Sequence, residues 1–339
     1  MAEAGDLKSL QSGFESQPGY SEKARNHCDI ARLRTSLVSR AWQRSPREPL
    51  RYDRSVVNLP ADSHVHSEWS WDAGSDPASI GTMVRTCEQA MRIGLPAIVF
   101  TEHLDFEDDW RAEPGDLGGG TAESLLDDSG RVVLPPFDAN GYLEAITRCR
   151  EQFPDLRILT GLEFGQPHLW ESRATDLLSS GLFDRINGSL HMLDDVIGRT
   201  EPATLYRSAS PDAVMWAYLQ EIPRMVAGSK SFEVFSHIDY AVRSWPAAEV
   251  GPFDHRRFES GFRVAMRAIA DSGRALELNT RRLWPWIPQW WTEEGGRAVS
   301  FGSDTHQHWG LAANFPEAMA MAEFFGFKPG ARPEDFWTK

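Results

Sequence analysis

The feature that most constrains the fold is a regular alternation of short β-rich runs with helix-like segments from residue 56 onward. Seven β-rich runs can be traced, at residues 56–64, 95–103, 157–163, 184–191, 232–239, 275–279 and 298–306. Helix-like segments of roughly 10 to 20 residues lie between most of them. Strands that alternate with helices indicate βα units and a parallel sheet. An open doubly wound sheet is one solution, but seven such units favour a closed α/β barrel.

Each of these runs ends in an imidazole, a carboxylate or an amide. In chain order the terminal motifs are H-x-H at 64–66, T-E-H at 101–103, G-L-E at 161–163, G-S-L-H at 188–191, S-H-I-D at 236–239, E-L-N at 277–279 and G-S-D-T-H at 302–306. Barrel enzymes assemble their sites from the C-terminal ends of their strands. Converging imidazoles and carboxylates are ligands for zinc, manganese or iron. The strand ends therefore predict a metal site.

His64 and His66 illustrate the geometry that this interpretation requires. Residues i and i+2 of a strand project to the same side, so the two imidazoles point together. A lone H-x-H pair would be interpreted as solvated side chains, but the remaining strand ends favour paired metal ligands. Asp239 is a candidate for orienting His237, the usual role of a carboxylate beside a metal-bound imidazole; an exposed loop acid is the alternative.

The ordered set of motifs resembles the PHP superfamily (polymerase and histidinol phosphatase), with the histidinol-phosphatase branch as the closest match. The resemblance covers residues 59–327. It implies a distorted (β/α)7 TIM-like barrel, here with an N-terminal extension, and a cluster of two or three divalent metal ions. Zinc, manganese and iron all suit the donors, whereas a His-rich set disfavours magnesium or calcium alone.

The resemblance also implies how the ligands divide. The first metal site comprises His64, His66, Glu163 and Asp304, which would surround the catalytic metal-bound hydroxide. The second comprises Glu163, His191 and His237, with Glu163 bridging. The third comprises Asp72, His103 and His306.

The expected activity is metal-dependent hydrolysis of a small phosphate monoester. The resemblance implies histidinol phosphate as substrate. A nucleotide or sugar phosphate is the first alternative, and an oligonucleotide is a further one. A metal-binding regulatory domain without hydrolysis is the alternative of another class.

Several residues are predicted to contact substrate. Arg243, Arg281 and Arg282 follow strand ends, where a guanidinium can bind phosphate through two hydrogen bonds. Trp286 belongs to the Trp-rich segment 284–291, interpreted as a loop that either packs on itself or forms an aromatic wall. His168 is expected to lie close enough to the mouth of the barrel to contact the substrate.

Composition and charge limit the partners that the protein can have and indicate how its domains are organised. The chain has 339 residues and a formal net charge of −14, which disfavours nucleic acid and anionic membranes as partners. It contains no apolar run long enough for a transmembrane helix and no signal-peptide pattern, so we expect a cytoplasmic protein. Residues 1–55 are interpreted as an extension and linker, and 56–339 as the phosphoesterase domain. The oligomeric state is left open.

Overall fold

The structure, a computed structural model, describes residues 59–74, 81–115, 120–195 and 198–339. The predicted extension, 1–55, lies outside the described residues. The strands are β1 (Asp62–Val65), β2 (Ala97–Leu104), β3 (Trp110–Arg111), β4 (Arg157–Gly165), β5 (Arg185–Ser189), β6 (Leu193–Asp195), β7 (Gly198–Thr200), β8 (Val234–Phe235), β9 (Ala275–Asn279), β10 (Ala298–Gly302) and β11 (Trp337–Thr338).

The main sheet has eight strands in the order β1-β2-β4-β5-β8-β9-β10-β11, and every neighbouring pair is parallel except β10 with β11. Two backbone hydrogen bonds join the C-terminal end of β1 to the segment that follows β10, the last of the parallel strands. The amide of His66 donates to the carbonyl of Thr305 over 2.9 Å, and the amide of Asp304 donates to the carbonyl of His64 over 2.8 Å. The parallel strands therefore close into a barrel, and the predicted fold class is confirmed.

The α-helices are α1 (Trp71–Gly74), α2 (Thr82–Ile93), α3 (Ala139–Gln152), α4 (Pro167–Leu178), α5 (Pro202–Ser208), α6 (Pro211–Gly228), α7 (Tyr240–Arg243), α8 (Ala247–Val250), α9 (Glu259–Asp271), α10 (Trp286–Glu293) and α11 (Phe315–Phe324). Local sequence explains several boundaries. The Asp138 side chain accepts from the amide of Gly141 at the start of α3, and Gly94 ends α2 with a φ of 75°. None of these described helices is long and apolar enough to cross a membrane.

The helices cover the barrel with apolar stripes. In α9 the buried residues are Phe262, Ala265, Met266 and Ile269, a spacing that places all four on one face of a helix. They pack into the hydrophobic core together with Leu276 of β9. This packing holds β9 in place, and with it the polar residues at its C-terminal end.

The Trp-rich segment, predicted as a loop, and the acidic segment at the end of β2 both contain regular structure. Segment 284–291 forms most of α10, and its tryptophans are largely buried. The acidic segment 104–136 includes β3 and a 3₁₀ helix at Gly120–Leu125. Strand β3 joins β7 and β6 in a second sheet of three strands, which brings Trp110 to the wall of the cavity described below.

Candidate metal centre

The nine predicted metal ligands lie together at the C-terminal ends of the barrel strands. They are His64, His66, Asp72, His103, Glu163, His191, His237, Asp304 and His306. Seven of them line a cavity of about 390 Å³, and His64 and His66 are fully buried beside them. The structure therefore brings together the complete predicted set, including Asp72 from the short helix α1.

Glu163 is the centre of the cluster. Its Oε1 is 2.7 Å from His237 Nε2 and 3.2 Å from His191 Nε2. Its Oε2 lies 3.2, 3.3 and 3.2 Å from nitrogen atoms of His64, His66 and His103, respectively. Because the two carboxylate oxygens face different sets of imidazoles, Glu163 can bridge two cations.

The outer nitrogens of His64 and His66 are already engaged. His64 Nδ1 is 2.7 Å from Glu277 Oε1, and His66 Nδ1 is 3.0 Å from Ser70 Oγ, which in turn donates to Glu102 over 2.7 Å. These contacts favour the tautomer whose Nε2 lone pair points inward. The two Nε2 atoms are only 3.1 Å apart, a separation at which two lone pairs repel unless a proton or a cation lies between them.

Several other buried atoms of the cluster lack a hydrogen-bond partner among the described residues. They are Asp72 Oδ1, His103 Nδ1, Asp105 Oδ1, Glu163 Oε2 and His237 Nδ1. Buried polar atoms are normally paired, so this concentration indicates a site built for a ligand. Imidazole nitrogens with carboxylate oxygens are the donors that zinc and its neighbours in the transition series prefer. The residues present therefore fit a centre of divalent metal ions.

Groups of donors close enough to share one cation can be identified directly. Within each group, all ligand atoms lie within 4.8 Å of one another. The groups are His64, His66 and Asp304; His64, Glu163 and His237; His66, His103 and His306; and His103, Asp105 and His191. The first two resemble the predicted first and second sites. Asp72 Oδ2 is 2.6 Å from His306 Nε2 and 3.5 Å from His103 Nε2, as the predicted third site requires.

Electrostatics place two of the central side chains, Glu163 and His66, in the forms that bind cations. Burial raises the pKa of the Glu163 carboxyl, but the imidazoles of His64 and His103 outweigh burial and hold it well below its usual value. Burial lowers the pKa of the His66 imidazole, and charges on His306 and His103 lower it further. An ionised Glu163 and a neutral His66 are both ready to act as ligands.

The ends of two strands turn through unusual backbone conformations. Asp304 has a φ of 52° and His237 a φ of 21°, although neither is glycine. The His237 amide donates to Glu277 Oε2 over 2.7 Å, which holds this turn. Strained backbone that the surrounding structure enforces is concentrated at functional sites.

Three arginines complete the wall of the cavity. Arg243, Arg281 and Arg282 all line it, as the sequence predicted for a phosphate site. Arg243 Nη1 is 2.7 Å from Asp304 Oδ2, whereas its buried Nη2 has no hydrogen-bond partner among the described residues. Arg243 thus contacts the ligand cluster and retains a donor group that a substrate anion could use.

The structure places two of the predicted substrate-binding residues elsewhere. Trp286 is only 6% exposed and packs edge-on against Phe262 of α9, with ring centroids 4.7 Å apart. His168 Nε2 is 2.8 Å from Glu221 Oε1 on α6. Neither residue lines the cavity, because each faces a neighbouring helix.

Asp239 also has a different partner from the one expected. Its Oδ2 accepts a hydrogen bond of 2.9 Å from Trp284 Nε1, so it contacts the Trp-rich segment. Besides Glu163, which contacts the ring, the carboxylate of Glu277 contacts His237 through the backbone amide. Glu277 and Glu102 lie within the motifs that the sequence identified, but no role was assigned to them. Each could have been recognised in the sequence as a carboxylate that follows apolar residues within a strand, Glu102 in β2 and Glu277 in β9.

Comparison with known proteins agrees with this geometry. The family model of the PHP domain matches residues 62–281. Two curated relatives carry the name "Probable histidinol-phosphatase". The protein of Clostridium acetobutylicum is 26% identical over 280 residues, covering 79% of this chain and 94% of the relative. That of Thermotoga maritima is 21% identical over 275 residues, covering 79% and 93%.

A solved structure shows the same fold. The histidinol phosphate phosphatase of Lactococcus lactis, crystallised with zinc, L-histidinol and phosphate, superposes with a TM-score of 0.58 at 21% sequence identity. The alignment covers 79% of this chain and 94% of that protein.

Proposed function

The chain belongs to the PHP domain family, and we propose that it is a metal-dependent phosphatase that hydrolyses a small phosphate monoester, with histidinol phosphate as its substrate. One observation carries this proposal. A single cavity contains the imidazole and carboxylate cluster together with the Arg243 guanidinium. Metal ligands and a cation beside them are what a phosphate ester requires. The names of the curated relatives support the choice of histidinol phosphate.

The chain's own residues would hold and orient the reacting groups. Divalent cations bound here would lower the pKa of a water molecule and stabilise negative charge on the phosphate oxygens. Glu277 keeps His64 Nε2 directed inward, and Glu163 joins the separate parts of the cluster. Arg243 would bind a phosphate oxygen through Nη2 while Asp304 holds Nη1.

The size and charge of the site favour a small substrate. A cavity of about 390 Å³ is at the lower end of the range that small-molecule sites occupy. The net charge of −14 disfavours a nucleic-acid backbone. We therefore include a nucleotide, a sugar phosphate and an oligonucleotide only as comparison substrates.

The test couples elemental analysis of the purified protein to phosphate release from a substrate panel. The panel contains histidinol phosphate, sugar phosphates, nucleoside monophosphates and a short single-stranded oligonucleotide. Two or three metals per chain with selective release from histidinol phosphate would support the whole proposal. Release from another ester would retain the metal-dependent mechanism and reject the substrate. Protein without metal or turnover, even after addition of zinc, manganese or iron, would overturn the proposal.

Two variants test the metal-binding part and the phosphate-binding part of the site separately. His66→Ala should remove turnover and lower metal content while the protein remains folded. Arg243→Ala should raise KM for the phosphate ester by about 10-fold or more, because a charge-assisted hydrogen bond is lost. An unchanged KM in the arginine variant would exclude Arg243 from phosphate binding.

A further inference from the structure

Asp105 lies within the cluster but outside the predicted ligand set. It follows β2 directly, two residues after His103, and its side chain is only 2% exposed. Its Oδ2 accepts a hydrogen bond of 2.8 Å from Trp71 Nε1. Its Oδ1 has no hydrogen-bond partner among the described residues. A buried carboxylate oxygen without a donor is costly unless a cation lies beside it.

The atoms around Asp105 are themselves metal donors. Asp105 Oδ2 is 3.6 Å from His103 Nδ1, and Asp105 Oδ1 is 3.9 Å from His191 Nδ1. His103 Nδ1 also lacks a hydrogen-bond partner in the described part of the chain, and it faces Glu163 Oε2, another unpaired atom, across 3.2 Å. Asp105, His103 and Glu163 thus each contribute an unpaired buried atom to the same cluster.

The neighbouring strand leaves room for this arrangement. Gly165, the last residue of β4, lies directly under Asp105, and a Cβ atom there would collide with Asp105 Oδ1. The carboxylate is therefore packed against backbone on one side and faces the imidazoles of His103 and His191 on the other. This environment admits no hydrogen-bond donor from the described residues to Oδ1.

We propose that Asp105 is a ligand of the metal centre, where it shares a cation with Nδ1 of His103 and Nδ1 of His191, so that these two imidazoles do not bind a second cation through Nε2. The inference rests on the proposed metal-dependent function, and it adds a carboxylate to the ligand set. A cation at this position would be bound by two imidazoles and a carboxylate, a combination that suits zinc. The same cation would lie against Glu163, so the position would be continuous with the rest of the cluster.

The test measures zinc binding to protein stripped of metal. Zinc is titrated against a chromophoric chelator for the wild type, Asp105→Asn and the control Asp108→Asn. Asp108 is a nearby carboxylate whose side chain is 70% exposed and pairs with Arg173. We expect Asp105→Asn to lose one equivalent of zinc or to bind it at least about 10-fold more weakly, and Asp108→Asn to match the wild type. Equal stoichiometry and affinity in Asp105→Asn would overturn the inference.

Further measurements separate this inference from the proposed function and from a structural role. If the wild type binds no zinc, both proposals fail; if it binds zinc and only the Asp105 effect is absent, this inference alone fails. Trp71→Phe removes the donor to Oδ2 but keeps the carboxylate, so its zinc stoichiometry should be unchanged. A Trp71→Phe loss equal to that of Asp105→Asn would indicate that Asp105 only supports packing.

A direct measurement on the wild type covers the case in which Asp105→Asn does not fold. In crystals grown with zinc, anomalous scattering locates the ions. An Asp105 oxygen at about 2.0 to 2.2 Å from one of them would support the inference. A distance above about 3 Å from every ion, beyond the range of zinc coordination, would overturn it.

Discussion

At the scale of single residues, Glu277 is notable because it contacts two candidate ligands of the centre, His64 and His237. Its Oε1 contacts His64 Nδ1 and its Oε2 accepts from the His237 amide, each at 2.7 Å. One carboxylate thereby orients ligands from the ends of β1 and β8. A single side chain can act on two parts of the candidate centre because parallel strands bring their C-terminal ends together.

Replacing Glu277 by Gln should weaken metal binding without unfolding the barrel. An amide can accept from one of the two donors, but its NH₂ group then faces the other donor. We expect zinc affinity to fall by about 10- to 100-fold, the usual effect of losing a carboxylate behind a metal-bound imidazole. The control is Glu334→Gln, since Glu334 is also buried but pairs with Arg157 through an ion pair of 2.7 Å. Equal zinc affinity in the two variants would contradict this role.

Protonation of the imidazoles makes zinc binding dependent on pH. Burial lowers the pKa of His103, but Asp72 and Glu163 outweigh it and raise the pKa to about 9. Burial is likewise outweighed at His191, where Glu163 and Asp105 raise the pKa to about 10. In the stripped protein both imidazoles therefore carry protons at pH 7, and zinc must displace them.

We expect zinc binding at pH 7 to release protons, and zinc affinity to rise with pH until these imidazoles titrate at about 9 and about 10. Calorimetry in two buffers with different ionisation enthalpies counts the protons released. A heat of binding that is independent of the buffer would show that the imidazoles are already neutral, and would contradict the expected charge state.

The convergence of the candidate ligands could be predicted from the sequence because eight of the nine, all but Asp72, lie at or just beyond the end of a recognisable strand. The role of Asp105 could not, because it depends on the distance between its Oδ1 and the ring of His191, which comes from a different strand. The partner of Asp239 could not be predicted either, since Trp284 follows it by 45 positions in the chain. Such contacts depend on how the barrel closes.

At the scale of elements, the Trp-rich segment was predicted as a loop but forms a helix, and its tryptophans pack inward, as one of the two proposed alternatives expected. The buried residues of α10 include Trp286, Ile287, Trp290 and Trp291. Positions i, i+1, i+4 and i+5 form one face of a helix, so the signal was present in the spacing. Pro285 and Pro288 are compatible with the helix because they lie at its start, where a missing amide is tolerated.

The structural role of this helix can be tested at Trp291. Its side chain is fully buried, its indole N–H donates to the Ala298 carbonyl over 3.1 Å, and its ring packs over Gly296. Trp291→Ala should lower the free energy of unfolding in urea by about 3 to 5 kcal/mol, and KM should not change. Trp309→Ala is the control, because Trp309 is 72% exposed and its loss should cost less than about 0.5 kcal/mol. A changed KM with unchanged stability at Trp291 would indicate a substrate contact instead.

At the scale of the whole molecule, the candidate centre joins distant parts of the chain. Its residues come from β1, β2 and β4, from α1, and from the segments that follow β1, β2, β5, β8 and β10. The sequence predicted that these ends converge, but closure depends on the hydrogen bonds between 64–66 and 304–305. Pairing between such distant segments cannot be recognised in the local sequence, although the number of βα units favoured a closed barrel.

Because the ligands are assembled only in the folded barrel, bound metal should stabilise the whole domain. A ligand that binds only the native state contributes about 2.7 kcal/mol when its free concentration is a hundredfold above Kd. For a domain of this size, each kcal/mol corresponds to about 2 °C in Tm, so each metal should add about 5 °C. Differential scanning calorimetry with a chelator, and again after zinc is restored, measures the shift. The shift should be smaller in His66→Ala, which lacks one donor. An equal Tm with and without the chelator would mean that the cluster is stable through its own ion pairs, and that zinc adds nothing to the closure of the barrel.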